Sequence, residues 1–322
     1  MSFDYGVTAE MERHQRVRRR LKLRQLEILL AVADTGSMAK AATRLAITQP
    51  AISRALADAE HTLGVPLFER GAHGVEPTQY GKALLKHGIA AFDELDQGVK
   101  EIEFLADPTA GELRIAAPAG LSESFVLDAI NRLSRQYPRV VFHVVIATGN
   151  ALIEQLRQRN VELGFDRQAV PGEEDINLEV LYDEPLVVVA GVNNPWVRRR
   201  KIGLADLVNE PWTWPPPGSS YDALVIEAFR ANGLTAPCAA LYSHAINLRI
   251  SLAATGPFLA VVNAGVMTKP GKYPSIRKLA VELPTTRREL HLVTIKKRIL
   301  SPLAQRFVEC VRDIAKSLPH RK

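Results

Sequence analysis

Ser37-Met-Ala-Lys-Ala-Ala-Thr-Arg-Leu-Ala-Ile-Thr-Gln-Pro-Ala-Ile-Ser-Arg-Ala-Leu56 is the stretch that decides the fold. Ser37 stands where an N-cap belongs, ahead of a short helix whose inner side is small or apolar at Ala41, Ala42 and Leu45. Only Ala46-Ile-Thr48 separates it from a second helix opening at Gln49-Pro50. Thr48 can cap that helix, and Pro50 in its first turn costs no intrahelical hydrogen bond. Ile52, Leu56, Ala59 and Leu63 recur at intervals of four, three and four. They form a buried stripe and leave Gln49, Ser53 and Arg54 on the exposed side. Gly64 stops the helix. Upstream, residues 23–33 place Leu26, Leu29, Leu30 and Ala33 on one helical face, ending near Asp34-Thr-Gly36.

Two helices joined by so short a turn read as a helix-turn-helix, and the second has the diameter of the DNA major groove. Gln49 and Arg54 suit that position because each makes bidentate hydrogen bonds to purine edges, while Thr48 and Ser53 are placed for phosphates or bases. Phe68-Glu-Arg-Gly-Ala-His-Gly-Val75 then reads as strand, glycine-rich tip and return strand: a wing, with Arg70 set to enter the adjacent minor groove. The plain alternative is a helical hairpin with solvated polar residues.

After Pro77-Thr78 a helical pattern runs to about Asp107. Leu85, Phe92, Val99 and Ala106 recur every seven residues, with Gly81, Gly88, Leu95 and Ile102 as companions, which is a coiled-coil seam. The alternative is an amphipathic helix lying on its own domain. Before the first helix, seven cations fall in the twelve residues from Arg13 to Arg24 with no acid among them. This run is either a solvated arm or a phosphate-contacting one.

The rest of the chain changes character at Asp107-Pro-Thr-Ala-Gly111. Strand-like runs at 113–117, 140–147, 161–165, 186–190 and 258–262 alternate with amphipathic segments at 122–136, 151–158, 220–232, 244–254 and 301–317. Such alternation predicts parallel or mostly parallel sheets covered by helices, long enough here for two small α/β lobes.

Composition bounds the function. The 322 residues are 47% hydrophobic and 24% charged, as in ordinary globular proteins, and the net charge of +6 is modest. The apolar stretches are too short or broken for a membrane helix, and Met1-Ser-Phe-Asp-Tyr-Gly6 has no apolar core behind it, so neither a membrane span nor a secretory signal is expected. Cys238 and Cys310 stand alone, which fits a reducing cytoplasm and no cysteine-based metal site. No GxSxG, HExxH, Walker A or GxGxxG string announces an enzyme, and scattered histidines such as His61, His73, His87 and His143 read as ordinary surface or structural residues. A solute-binding protein would leave the first 107 residues unexplained.

The N-terminal string resembles the LysR-type transcriptional regulators motif by motif. It does so through 26–33, Gly36-Ser37, Ala41-Ala42, Leu45, Thr48-Gln-Pro-Ala-Ile-Ser-Arg54, Leu63-Gly-Val-Pro-Leu-Phe-Glu-Arg70 and Pro77-Thr78-x-x-Gly81. The departures are Met38-Ala39, the alanines at 55, 57 and 59, and the long arginine-rich extension.

The resemblance implies an α/β protein with an all-α N-terminal part. A basic arm (1–20), a winged helix-turn-helix domain (21–78) and a linker dimerisation helix (79–107) precede a two-lobed Rossmann-like effector domain (112–322) resembling periplasmic solute-binding proteins. Lobe I would comprise 112–167 and 266–300, and lobe II 168–265, with crossings near 165–182 and 263–269 and a C-terminal helix at 301–318. The implied partners are double-stranded DNA with an interrupted inverted repeat and the chain itself, as dimer or tetramer, with RNA polymerase a further candidate. No catalytic residue, metal or cofactor is expected beyond a small-molecule effector. DNA contacts fall to Ser37, Thr48, Gln49, Pro50, Ser53, Arg54 and Arg70. In open α/β sheets ligands bind beyond the carboxyl ends of strands, where helix starts offer free N–H groups. That selects Ala117, Pro118, Ala119 and Gly120; Thr148 and Asn150; Gly218, Ser219 and Ser220; and Ser243 with His244. Paired helix starts, together with 27 basic against 20 acidic residues after Asp107, point to an anionic effector, with Gly218, Ser219 and Ser220 as its cradle.

Overall fold

The computed structural model describes residues 20–71, 74–167, 173–267 and 273–318. The chain divides into two compact units, Met1–Gly98 and Val99–Lys322. The arginine-rich arm lies outside the described residues except for Arg20.

In the first unit, α1 (Leu23–Thr35), α2 (Met38–Arg44) and α3 (Gln49–Leu63) precede a hairpin of β1 (Phe68–Gly71) and β2 (Gly74–Pro77). Ile52 and Ala59 are sealed against Leu29, Val32 and Ala41. The buried face of α1 is rotated from the expected one: Ile28, Leu29, Ala31 and Val32 are buried, while Leu26, Leu30 and Ala33 pack at the rim. The wing is fixed by close backbone approach. Val75 N–H donates to Gly36 O at 2.9 Å, and a side chain at Gly74 (φ +125°) would come within 2.4 Å of that same oxygen. The long helix α4 (Gln79–Ala106) is started by Thr78, whose hydroxyl accepts from Gly81 N and donates to Pro66 O. Gly81 is obligatory here, since a Cβ would lie 2.0 Å from Leu67 O.

The proposed seam on α4 splits in two. Gly81, Leu85 and Gly88 are buried, Leu85 joins the N-terminal core, and Gly88 abuts Leu26, so this half lies on its own domain. Leu95, Val99 and Ile102 of the seam are exposed, as is Leu105 beside it, the last two at 69% and 75%.

The second unit contains two five-stranded sheets. Lobe I has the order β4-β3-β5-β12-β6, from β3 (Ala110–Ala117), β4 (Arg139–Ile146), β5 (Leu163–Asp166), β6 (Ile176–Glu184) and β12 (Arg288–Ile295). Lobe II has the order β11-β7-β10-β8-β9, from β7 (Leu186–Gly191), β8 (Trp212–Trp214), β9 (Ala239–Tyr242), β10 (Leu259–Asn263) and β11 (Ile276–Lys278). The helices are α5 (119–136, with a π-type turn at Ser122–Val126), α6 (Gly149–Arg157), α7 (Ser220–Ala231), α8 (Ile246–Thr255) and α9 (Pro302–Ser317).

Each sheet is mostly parallel, as expected, with one reversed strand: β3 with β4 and β5, and β8 with β9 and β10, are parallel, whereas β12 and β7 pair antiparallel with both of their neighbours. One expectation is corrected: the lobes exchange chain one strand later. β6 completes lobe I and β11 completes lobe II, so the crossings fall at Glu184–Leu186 and between Leu283 and Arg288, not near 165–182 and 263–269. The reason is that each lobe takes a returning edge strand before releasing the chain.

Phe125, Phe165 and Phe307 meet in lobe I, and α9 packs there through Leu303, Phe307 and Val311. Trp212, Trp214 and Phe229 meet in lobe II at 5.6–6.0 Å. Each side chain of this size contributes roughly 1.5–3 kcal/mol or more by leaving water. The buried indole N–H groups are satisfied, by Leu207 O and Asp222 Oδ1, both at 2.9 Å. Glu162, almost fully buried, accepts from Lys100 Nζ at 2.9 Å and Ser301 N at 3.2 Å, as a buried carboxylate must.

Candidate functional site

The first candidate surface belongs to α3. Thr48, Gln49, Pro50, Ser53 and Arg54 are all exposed, opposite the buried Ile52, Leu56 and Ala59. Thr48 occupies the N-cap position, but its hydroxyl makes no cap hydrogen bond, contrary to expectation. Its β-branched oxygen is therefore not spent on the helix. Ser37 is: its Oγ accepts from Lys40 N at 3.4 Å. Pro50 sits in the first turn as expected. Glu60 Oε1 receives Leu67 N at 2.7 Å and Phe68 N at 3.3 Å, so the back of α3 is bonded to the start of the wing. Arg70 pairs with Val75 through the hairpin backbone, and its side chain lies outside the described residues.

The second is a cleft of about 950 Å³ between lobes I and II. Lobe I supplies Pro118, Ala119, Gly120 and Thr148, and lobe II supplies Gly218, Ser219, Ser243 and His244, all at expected positions. Three expected residues fall elsewhere or outside view. Ala117 is sealed in the lobe I core at the end of β3, Asn150 is exposed away from the cleft on the first turn of α6, and the Ser220 side chain lies outside the described residues.

The Gly218 cradle is not open. Ser219 caps α7 by accepting from Asp222 N, and Asp222 Oδ2 receives Gly218 N–H at 2.7 Å while Oδ1 holds Trp214. At the facing helix, Asp166 Oδ2 accepts Gly149 N–H at 2.6 Å and Oδ1 accepts Arg167 N–H. Both helix starts thus carry a carboxylate supplied by the chain near the positive end of the dipole: Asp166 takes the first helical N–H of α6, and Asp222 the N–H just ahead of the α7 N-cap.

The cleft floor is charged. Arg167 forms a buried ion pair with Glu184 and donates to Arg288 O; Glu184 also accepts from Gly265 N. Burial pushes the Glu184 carboxyl upward, and Arg167 and the Gly265 N–H oppose it. Tyr221 and Asn263 exchange a hydrogen bond at 2.9–3.0 Å. Arg249 is 6% exposed; Nη1 donates to Val261 O at 3.0 Å, Nε has no partner, and burial pulls its guanidinium below the ordinary value. Farther out, Glu123 of α5 receives Asn247 Nδ2 of α8 at 2.9 Å and Tyr273 OH at 3.3 Å, bridging the lobes. Burial and the facing Glu123 push the Tyr273 hydroxyl up to about 12, so it remains a donor at neutral pH.

The model of bacterial regulatory helix-turn-helix proteins of the lysR family matches residues 23–82, and that of the LysR substrate binding domain matches residues 106–316. The chain belongs to the LysR family of transcriptional regulators. GbpR of Azospirillum brasilense is 32% identical over 222 residues, covering 68% of this chain and 64% of that protein. CmpR of Synechocystis sp., a transcriptional activator, is 32% identical over 215 residues, covering 66% and 69%. Among solved structures the chain is similar to CbnR, a LysR family regulator (25% identity, 90% of this chain and 99% of that chain, TM-score 0.54), and to CbnR complexed with its target DNA at the same TM-score.

As a LysR-family protein the chain is a DNA-binding transcriptional regulator with a domain for an effector. Among the described residues no helix is long and apolar enough to cross a membrane, and no cluster of His, Cys, Asp and Glu has metal-holding geometry. Sequence reasoning missed Asp166, Arg167, Tyr221, Asn263 and Arg249 in the cleft. Two of the underlying signals were present: Ser219-x-x-Asp222 is a capping-box pattern, and Arg249 is a lone charge in the apolar run from Ile246 to Ala254.

Proposed function

We propose that this LysR-family regulator binds duplex DNA as paired copies on an interrupted inverted repeat, with α3 in the major groove, and that a small-molecule effector between lobes I and II adjusts that binding. The exposed row Gln49, Ser53 and Arg54, set opposite a sealed apolar stripe, carries the reading. Gln49 and Arg54 take purine edges, Thr48 and Ser53 phosphates or bases, Ser37 and Pro50 flank the DNA backbone, and Arg70 enters the minor groove. The similarity to CbnR in complex with its target DNA supports this docking.

The exposed apolar strip Leu95, Val99 and Ile102 supports pairing through α4, as dimers or as tetramers built from them. The regulator acts on RNA polymerase in the cytoplasm, without catalysis and without a cofactor other than the effector. An effector shifts DNA affinity only if it binds one arrangement of the lobes better than the other.

The test is a mobility shift on DNA flanking the protein's own gene at rising salt. Affinity should fall steeply as counterions are released. If a folded Gln49→Ala, Ser53→Ala, Arg54→Ala triple variant occupied that DNA as the parent does, the docking of α3 would be wrong.

A further inference from the structure

Four helices start at the cleft; that of α5 has Pro118 as its N-cap, with no side-chain cap. The starts of α6 and α7 each hold an internal carboxylate, Asp166 on Gly149 N–H and Asp222 on Gly218 N–H. The start of α8 does not. Its N-cap is Ala245, with no side chain to accept, and Ser243 Oγ turns back to Ala245 N at 3.0 Å.

One turn into α8 stands Arg249, which lines the cleft and is more than nine-tenths buried. Nη1 is committed to Val261 O, Nε is buried without a partner, and among the described residues no carboxylate pairs with it. The other buried arginine of the cleft, Arg167, is matched by Glu184. A guanidinium does not shed its proton, so Arg249 holds a buried charge that, among the described residues, Val261 O offsets only in part and no carboxylate neutralises.

Resting on the reading of this cleft as the effector site, we propose that the effector carries a carboxylate and that Arg249, with the uncapped start of α8, anchors it. The chain contains its own template for the contact. Arg312 grips Glu179 through Nε and Nη2, both at 2.7 Å, and that is the edge Arg249 leaves unused. Two parallel N–H groups match a planar carboxylate, and one cation suits one negative charge. Ile146, Leu224 and Ile246 form apolar wall for the remainder of the ligand. The anchor is wired to the lobes: Asn247, in the first turn of α8, reaches Glu123 of lobe I beside Tyr273.

The test melts the intact protein in sodium acetate and in equimolar acetamide with sodium chloride matching the ionic strength. Once acetate is about tenfold above its Kd, the parent should gain roughly 3–6 °C over the acetamide control, and Arg249→Gln should gain nothing. Equal gains in both proteins, or none in either, overturn the anchor. Arg249→Lys, which keeps the charge, should recover part of the gain; a variant that responds like Arg249→Gln overturns the charge-based account.

A second arm measures affinity for the flanking DNA with the fraction of cell extract below 1 kDa. The parent should shift several-fold and Arg249→Gln should not. If both shift alike while Leu224→Trp, which fills the cleft, does not, the effector site stands and the anchor falls. If the parent does not shift, the effector reading falls and takes the anchor with it.

Discussion

Arg54 and Arg249 each sit on a helix whose N-cap residue makes no side-chain cap, and they differ in burial: Arg54 on α3 is exposed, Arg249 on α8 is sealed. An exposed guanidinium is solvated and free to move, so it gains from a large polyanion and its contribution is screened by salt. A sealed one is screened little and requires a single well-placed partner. On the proposed reading, burial rather than residue type separates a surface suited to a polyanion from a pocket suited to one small anion.

The largest expected effect tests the scaffold behind the exposed arginine. Ile52→Ala opens a cavity in the first unit and should cost about 2–5 kcal/mol, read by denaturant unfolding, while the melting of the second unit is unchanged. If α3 lost nothing, its exposed row would not be held by that stripe. Next, Arg54→Ala should cost roughly 1–3 kcal/mol at particular base pairs in a mobility-shift series; a uniform loss over all sequences with a flatter salt dependence would make Arg54 a phosphate contact instead.

The comparison can be inverted at α7. Asp222→Ala removes the chain's own carboxylate from Gly218 and from the buried Trp214 N–H, so it should cost about 1–3 kcal/mol in stability while exposing a second anion-responsive helix start, visible as a larger acetate-dependent gain in melting temperature. The smallest effect belongs to the half-exposed template pair. Arg312 holds Glu179 below its ordinary value of 4.5, so the pair's contribution, at most about 1 kcal/mol, is present above that pH and lost as pH falls through the lower folded value. Glu179→Gln should therefore lower the melting temperature slightly at neutral pH, and the two proteins should converge as pH falls below 4.5.

The two units were unequally legible. In the first, the elements are specified largely by neighbours: the Ser37 cap, Pro50, Gly64 and the hairpin pairing act within a few residues, whereas the docking of the wing on Gly36 is long-range. In the second, β12 meets β6 across more than a hundred residues, and β8, β9 and β11 are only three or four residues long. No local period marks them, so the lobe crossings were placed one strand early. The cleft loops were found because helix starts and glycines are local signals. What occupies those starts was not, because Asp166 reaches Gly149 only through the fold.

The two crossings are themselves fastened together, since Leu186 N–H donates to Thr286 Oγ1 at 3.2 Å. A double tether pinned at its midpoint resists sliding and leaves rotation about one axis as the soft coordinate of the lobes. A single pair of distance labels placed across the mouth would then report the full swing, like one gauge on a door.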